Sequence, residues 1–141
     1  MIMFNIYYKI WVDGLLKMKS LPKNKGMWKL YGMTFMSMAM ALNIMLFMTI
    51  LQNVLNIHFY NLNLDIFKGT KLDAILSFFI LFLAPPLILN YLLIFHKKRY
   101  EELFKLYKTY DGKLYASYLV LSYFLPVVLL IGGKIIHKIN K

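Results

Sequence analysis

The residues best placed to do chemistry in this sequence lie inside apolar stretches. Pro85 and Pro86 interrupt one such stretch near its centre. A proline within a helix removes its own backbone donor and clashes with the carbonyl four residues earlier, so the carbonyls of Leu81 and Phe82 lose their usual partners. In hydrocarbon such carbonyls require other donors, and broken helices near the bilayer midplane are where transporters assemble their sites. Asn43 and Tyr123 fall near the middle of two other apolar stretches and are candidate donors, while Pro126 leaves the carbonyl of Ser122 in the same condition. Asn43, Pro85, Pro86, Ser122 and Tyr123 thus form a candidate polar site at mid-depth, either a solute pathway or hydrogen-bonded glue between helices. Glue is the more economical account, because no charged residue joins them and ion or proton transport relies on one. Asn90 is a similar case nearer one end.

Methionine gathers in the first apolar stretch, with Met33, Met36 and Met40 on one side and Met38, Met45 and Met48 around another. Thioethers bind soft metals such as Cu(I), usually beside cysteine or histidine. The chain has no cysteine and that stretch has no histidine, so a polarisable partner face at Met33, Met36 and Met40 is the expectation, and no metal or cofactor is expected. Ser37 and Ala41, four residues apart, are a small pair that admits a neighbouring helix. His58, His96 and His137 are scattered and show no ligand spacing.

The acids Asp13, Asp73, Glu101, Glu102 and Asp111 each fit a helix pair, a cap or a turn, and Asp65 fits none of these. No Ser/His/Asp set, HExxH or phosphate loop is present, which points to a protein that is not an enzyme. A lipid-active enzyme using Glu101 or Glu102 is the residual catalytic reading. The net charge of +11 raises nucleic acid as a partner, yet Arg99 is the single arginine, and the guanidinium is the preferred reader of phosphates and bases. No nucleic acid is expected.

These residues must be held by elements of unusual composition. Of the 141 residues 60% are hydrophobic, and the mean hydropathy is +0.58. A chain this short buries only about 60–70% of its unfolded surface, so lipid must solvate the remainder. Stretches 30–52, 73–96 and 114–133 meet the length of roughly 20 apolar residues that a spanning helix needs. Residues 1–20 carry Asn5, Lys9, Asp13 and Lys17 at intervals of four, which predicts an amphipathic helix in the interface with Asp13 paired to Lys9 and Lys17. A signal peptide is the competing reading, and its basic start and small-residue cleavage site are missing. Residues 21–29 form a hinge around Pro22 and Gly26, with Trp28 at headgroup depth.

Residues 53–72 make a polar loop that ends at Thr70 and Asp73, spaced as a capping box in its aspartate variant. Residues 97–113 hold a second amphipathic segment whose stripe of Tyr100, Leu103, Phe104, Tyr107 and Tyr110 is expected to lie aromatic side down on the membrane. Residues 134–141 are a basic tail.

Orientation follows the lysines. Six basic residues precede the first span and six lie in the second loop, against two in the first loop and three in the tail, which places the amino terminus and second loop in the cytoplasm. The tail lysines leave open a third segment that dips in and returns. The expected fold is an all-α integral membrane protein of three transmembrane helices and two interfacial amphipathic helices, with a bacterial cytoplasmic membrane as its simplest home. Lys23, Lys25, Lys97, Lys98 and Arg99 would draw anionic headgroups at about 1 kcal/mol per residue near the surface. The functional expectation is a non-enzymatic accessory or assembly subunit of a larger membrane complex, bound to other membrane protein subunits; a small homo-oligomeric channel or transporter with its site at the proline break is the alternative.

Overall fold

The computed structural model describes residues 2–54 and 64–139. The expectations for His58, for residues 55–63 of the first loop and for Lys141 therefore lie outside the described residues, as do those for the side chains of Lys134, His137 and Lys138. Every regular element among the described residues is helical. Helix α1 (Ile2–Ser20) leads through a 3-10 turn at Pro22–Asn24 into α2 (Trp28–Val54). A helical run then passes through α3 (Lys71–Ser77), a π-helical segment (Phe78–Leu83), α4 (Ala84–Asn90), a second π-helical segment (Tyr91–Phe95) and a 3-10 turn (His96–Lys98). Helices α5 (Arg99–Leu106) and α6 (Lys113–Ile139) complete the chain.

Local chemistry explains these boundaries. Pro85 and Pro86 sit in the first turn of α4, where no backbone donor is needed. The π-helical segment before them widens the turn, and the Ala84 amide bonds the Phe79 carbonyl five residues back. Thr70 is the extended residue that precedes α3, but the capping box is not made. The Asp73 carboxylate accepts the amides of Ile66 at 2.8 Å and Phe67 at 3.1 Å, and the Thr70 hydroxyl donates to the Phe67 carbonyl at 2.8 Å. Asp73 therefore holds the entering loop rather than its own helix end. Lys97 and Lys98, at φ 52° and 57°, break the helical run and turn α5 away from it.

Helix α1 does not lie across the ends of the other helices. It runs antiparallel beside α2: Lys19 reaches Trp28, Leu15 fills the space a Cβ on Gly32 would need, and Tyr7 and Ile10 border a groove with Met36 and Met40. Residues 11–15 are buried on all sides, because α2, α5 and α6 all pack on α1. The main core joins Trp11, Val12 and Leu15 to Met36, Ile94, Tyr100, Leu103 and Tyr115. A smaller core sets Phe82 and Leu83 against Ala41, with Met38, Met45 and Met48 around them. Met36 is buried and Met40 packs inside the chain, so the methionine face expected to meet a partner is covered by α1, leaving Met33 half-buried.

Two helical stretches, Trp28–Gln52 and Lys71–Leu106, are long and apolar enough to cross a membrane, at 25 and 36 residues. Within α6, Lys113–Leu129 is a shorter apolar helix.

Candidate functional site

One end of the bundle gathers the end of α1, the start of α2, the 96–98 turn with α5, and the start of α6. Its organiser is Asp13. The side chain is fully buried, and its Oδ1 accepts the Thr109 hydroxyl at 3.1 Å, the Gly112 amide at 3.0 Å and the Tyr110 amide. Oδ2 accepts the amides of Leu114 at 2.9 Å and Tyr115 at 3.2 Å. Helix α6 thus begins on a carboxylate supplied from α1, which complements the positive end of the helix dipole and satisfies its unpaired donors. Burial pushes the Asp13 carboxyl up, and the amides of Gly112, Tyr110 and Tyr115 with the Thr109 hydroxyl outweigh it, so the group sits below its ordinary range. The expected pairing of Asp13 with Lys9 and Lys17 is corrected: Lys17 instead bonds Asp111 at 2.7 Å and holds that exposed carboxyl below its ordinary range. The loop that covers Asp13 removes it from the polar stripe.

The candidate mid-depth site divides in two. Asn43 donates to Ser122 Oγ at 2.9 Å and Tyr118 Oη at 3.3 Å, joining α2 to α6. Tyr123 donates to the Phe35 carbonyl at 3.4 Å. Neither is spent on the carbonyls of Leu81 and Phe82. Pro85 is exposed and Pro86 buried in α4, which packs on α2, whereas Ser122 and Tyr123 belong to α6. The five residues therefore do not meet in one place. A second cluster, with Asn90 and Ser37 fully buried and Tyr7 half-buried, connects three elements: Asn90 donates to Ser37 Oγ at 2.8 Å and accepts the Tyr7 hydroxyl at 2.7 Å. Ser37 and Ala41 are both fully buried, as a small pair at a close helix crossing would be.

Above these lies a basic, aromatic surface. The Trp28 and Tyr100 rings meet edge to face at 5.6 Å, with Phe104 5.7 Å from Tyr100. Lys29 Nζ stands 4.7 Å from the Tyr100 ring centre and 5.3 Å from that of Trp28, and Lys19 Nζ lies 5.7 Å from Trp28, within cation–π range. Arg99 lies over Tyr8 at 5.6 Å. The residues expected to contact anionic headgroups, Lys23, Lys25, Lys97, Lys98 and Arg99, are all exposed. Lys19 and Lys29 were not among them; their contiguity with Trp28 was the available signal for Lys29, and nothing local pointed to Lys19. The aromatic stripe of α5 packs on the chain itself, with Tyr100 and Leu103 buried, Tyr107 against Tyr8 and only Tyr110 half-exposed.

Among the described residues no group of three or more His, Asp or Glu side chains is placed to hold a metal ion. No protein-family model, curated protein or solved structure matches the chain.

Proposed function

We propose that the protein is a non-enzymatic accessory or assembly subunit of a larger membrane complex, a bundle of three spanning helices with α1 packed among them from the cytoplasmic side. The observation that carries this reading is the inverted distribution of side chains. Ser37, Asn43, Asn90 and Ser122 spend their hydrogen bonds on one another and on neighbouring tyrosines inside the bundle. Phe47, Ile88, Leu121, Phe124 and Val128 are each 58–67% exposed. Only 22% and 28% of the most apolar windows of the two long stretches are buried, which favours lipid or partner helices as their surroundings over a soluble core. With Ser37, Asn43, Asn90 and Ser122 hydrogen-bonded and no acid or base among these four, the bundle offers little to a passing solute, and contact remains as its use.

The outward face of α6 around Leu121 and Phe124 is the partner surface in this reading, and the basic end lies in the cytoplasm, against anionic headgroups. The test is purification of the tagged chain from its native membrane in mild detergent, with the associated proteins identified and their stoichiometry measured. A stable set of different subunits, weakened by Leu121→Ala with Phe124→Ala, is the expected result. Recovery of the chain only with copies of itself overturns it. Flux through reconstituted protein that is lost in Asn43→Leu would instead establish the channel or transporter.

A further inference from the structure

A groove of about 350 Å³ opens beside the basic end, between the start of α2 and the π-helical segment Tyr91–Phe95. Leu30, Met33, Tyr91, Phe95 and Tyr100 line it, and Lys29 and Lys98 are its only charged lining among the described residues. Neither Glu101 nor Glu102 borders it. Lys29 is held toward the groove by the faces of Trp28 and Tyr100. Lys98 is presented by a backbone in the left-handed region, φ 57° and ψ 30°, directly after Lys97 at φ 52° and ψ 29°. Glycine adopts this conformation without penalty, whereas a residue with a Cβ is disfavoured there. The turn therefore carries a lysine at a position where glycine would be easier to fold.

We propose that this groove is a binding site for one acidic phospholipid, with the phosphate held by the Lys29 and Lys98 ammoniums and an acyl chain along Leu30, Met33, Tyr91 and Phe95. The occupant follows from the joint chemistry: an apolar trough of a volume within the usual ligand range, two cations with no acid partner among the described residues, and a location at the basic end of helices that suit a bilayer. The proposal rests on the membrane reading above and adds to it a defined stoichiometric site, distinct from a diffuse attraction to the polybasic face.

Both tryptophans report on the groove through its lining, Trp28 against Tyr100 and the buried Trp11 against Phe95, with ring centres 5.6 Å apart in each pair. The full chain is reconstituted into phosphatidylcholine nanodiscs containing increasing fractions of phosphatidylglycerol with brominated acyl chains, and tryptophan quenching is followed, with brominated phosphatidylcholine as the comparison. Saturable quenching at a markedly lower fraction of the acidic lipid is expected. Lys29→Gln and Lys98→Gly should each raise the required fraction about five-fold, while the control pair Lys105→Gln with Lys108→Gln, exposed on α5 and just beyond its end, leaves it unchanged. Lys98→Gly relieves the backbone, so a well-folded and more stable variant that has lost the preference is the most direct support.

Equal quenching by both brominated lipids overturns the site while leaving the membrane reading in place. So does a loss in the control pair as large as that in Lys98→Gly. Displacement by added inorganic phosphate would assign the lysines to free phosphate and not to lipid. Absence of quenching by either lipid would remove the membrane reading and this proposal together.

Discussion

The carboxylate of Asp13 accepts the Gly112 amide at 3.0 Å across a separation of 99 residues. That bond anchors the turn through which α6 begins, and Gly112, at φ +80°, passes so close to α1 that a Cβ there would meet Lys17 Cγ at 2.6 Å. Asp13→Ala would strand the buried amides of Gly112 and Tyr115, each costing about 1–3 kcal/mol when unsatisfied. A loss of about 2–6 kcal/mol is expected in denaturant titrations in mixed micelles, with Asp13→Asn intermediate. Lys17→Met removes a contact between exposed groups and should change the midpoint far less.

The same carboxyl sets an acid limit. Its folded pKa lies below its ordinary value, so its contribution is fully present above the unfolded pKa of about 4 and is lost as pH falls through the folded value. Stability should drop below about pH 4 in the wild type, and the slope in that window should be shallower in Asp13→Asn. An equal slope in both proteins would assign the acid sensitivity to another group.

Gly14 lies under the Tyr115 ring, whose Cγ is 2.6 Å from the position a Cβ would take. Ala is normally the better helix former by about 1 kcal/mol, yet here overpacking against a buried ring should dominate, for a net loss of about 1–3 kcal/mol in Gly14→Ala. Gly32→Ala meets the flexible end of Leu15 and should be the milder change in the same titration.

Asn90 and Asn43 offer a graded comparison. Asn90 is fully buried with two side-chain partners, and Asn43 is half-buried with two. Asn43→Leu should cost about 0.6–2 kcal/mol, the range for interhelical bonds in membranes. Asn90→Leu should cost more, because it leaves Ser37 and Tyr7 without this partner and forces a branched side chain into a filled space.

The absence of cysteine from the chain permits a direct test of orientation. Lys23→Cys and Lys105→Cys should react with a membrane-impermeant maleimide only from the cytoplasmic side, and Lys68→Cys only from the opposite side. Labelling of Lys23→Cys and Lys105→Cys from opposite sides would refute the proposed topology.

Much of the candidate site was out of reach of sequence reading for one physical reason. Asn43 could be recognised as a polar group needing a partner, but Ser122, Tyr118 and the carbonyls of Leu81 and Phe82 were chemically comparable acceptors. The choice among them depends on which helix lies on which side of α2. Asp13 fits a four-residue polar stripe perfectly well, and only a loop some hundred residues away moves it from the surface to the interior. Met36 reads as contact surface in either setting, since a thioether packs as readily against α1 as against a partner.

The sequence by itself determined the helical class and the two long apolar helices, because both follow from composition and periodicity over a few turns of chain. It also marked the small residues Ser37 and Ala41, whose size is a local property. Tertiary structure alone decided that α1 stands inside the bundle, that Asp13 holds the start of α6, and that Asn90 rather than the proline pair is the buried polar hub. Those outcomes are contacts between residues far apart in sequence, selected by competition among similar apolar faces, and local patterns carry no record of which face wins.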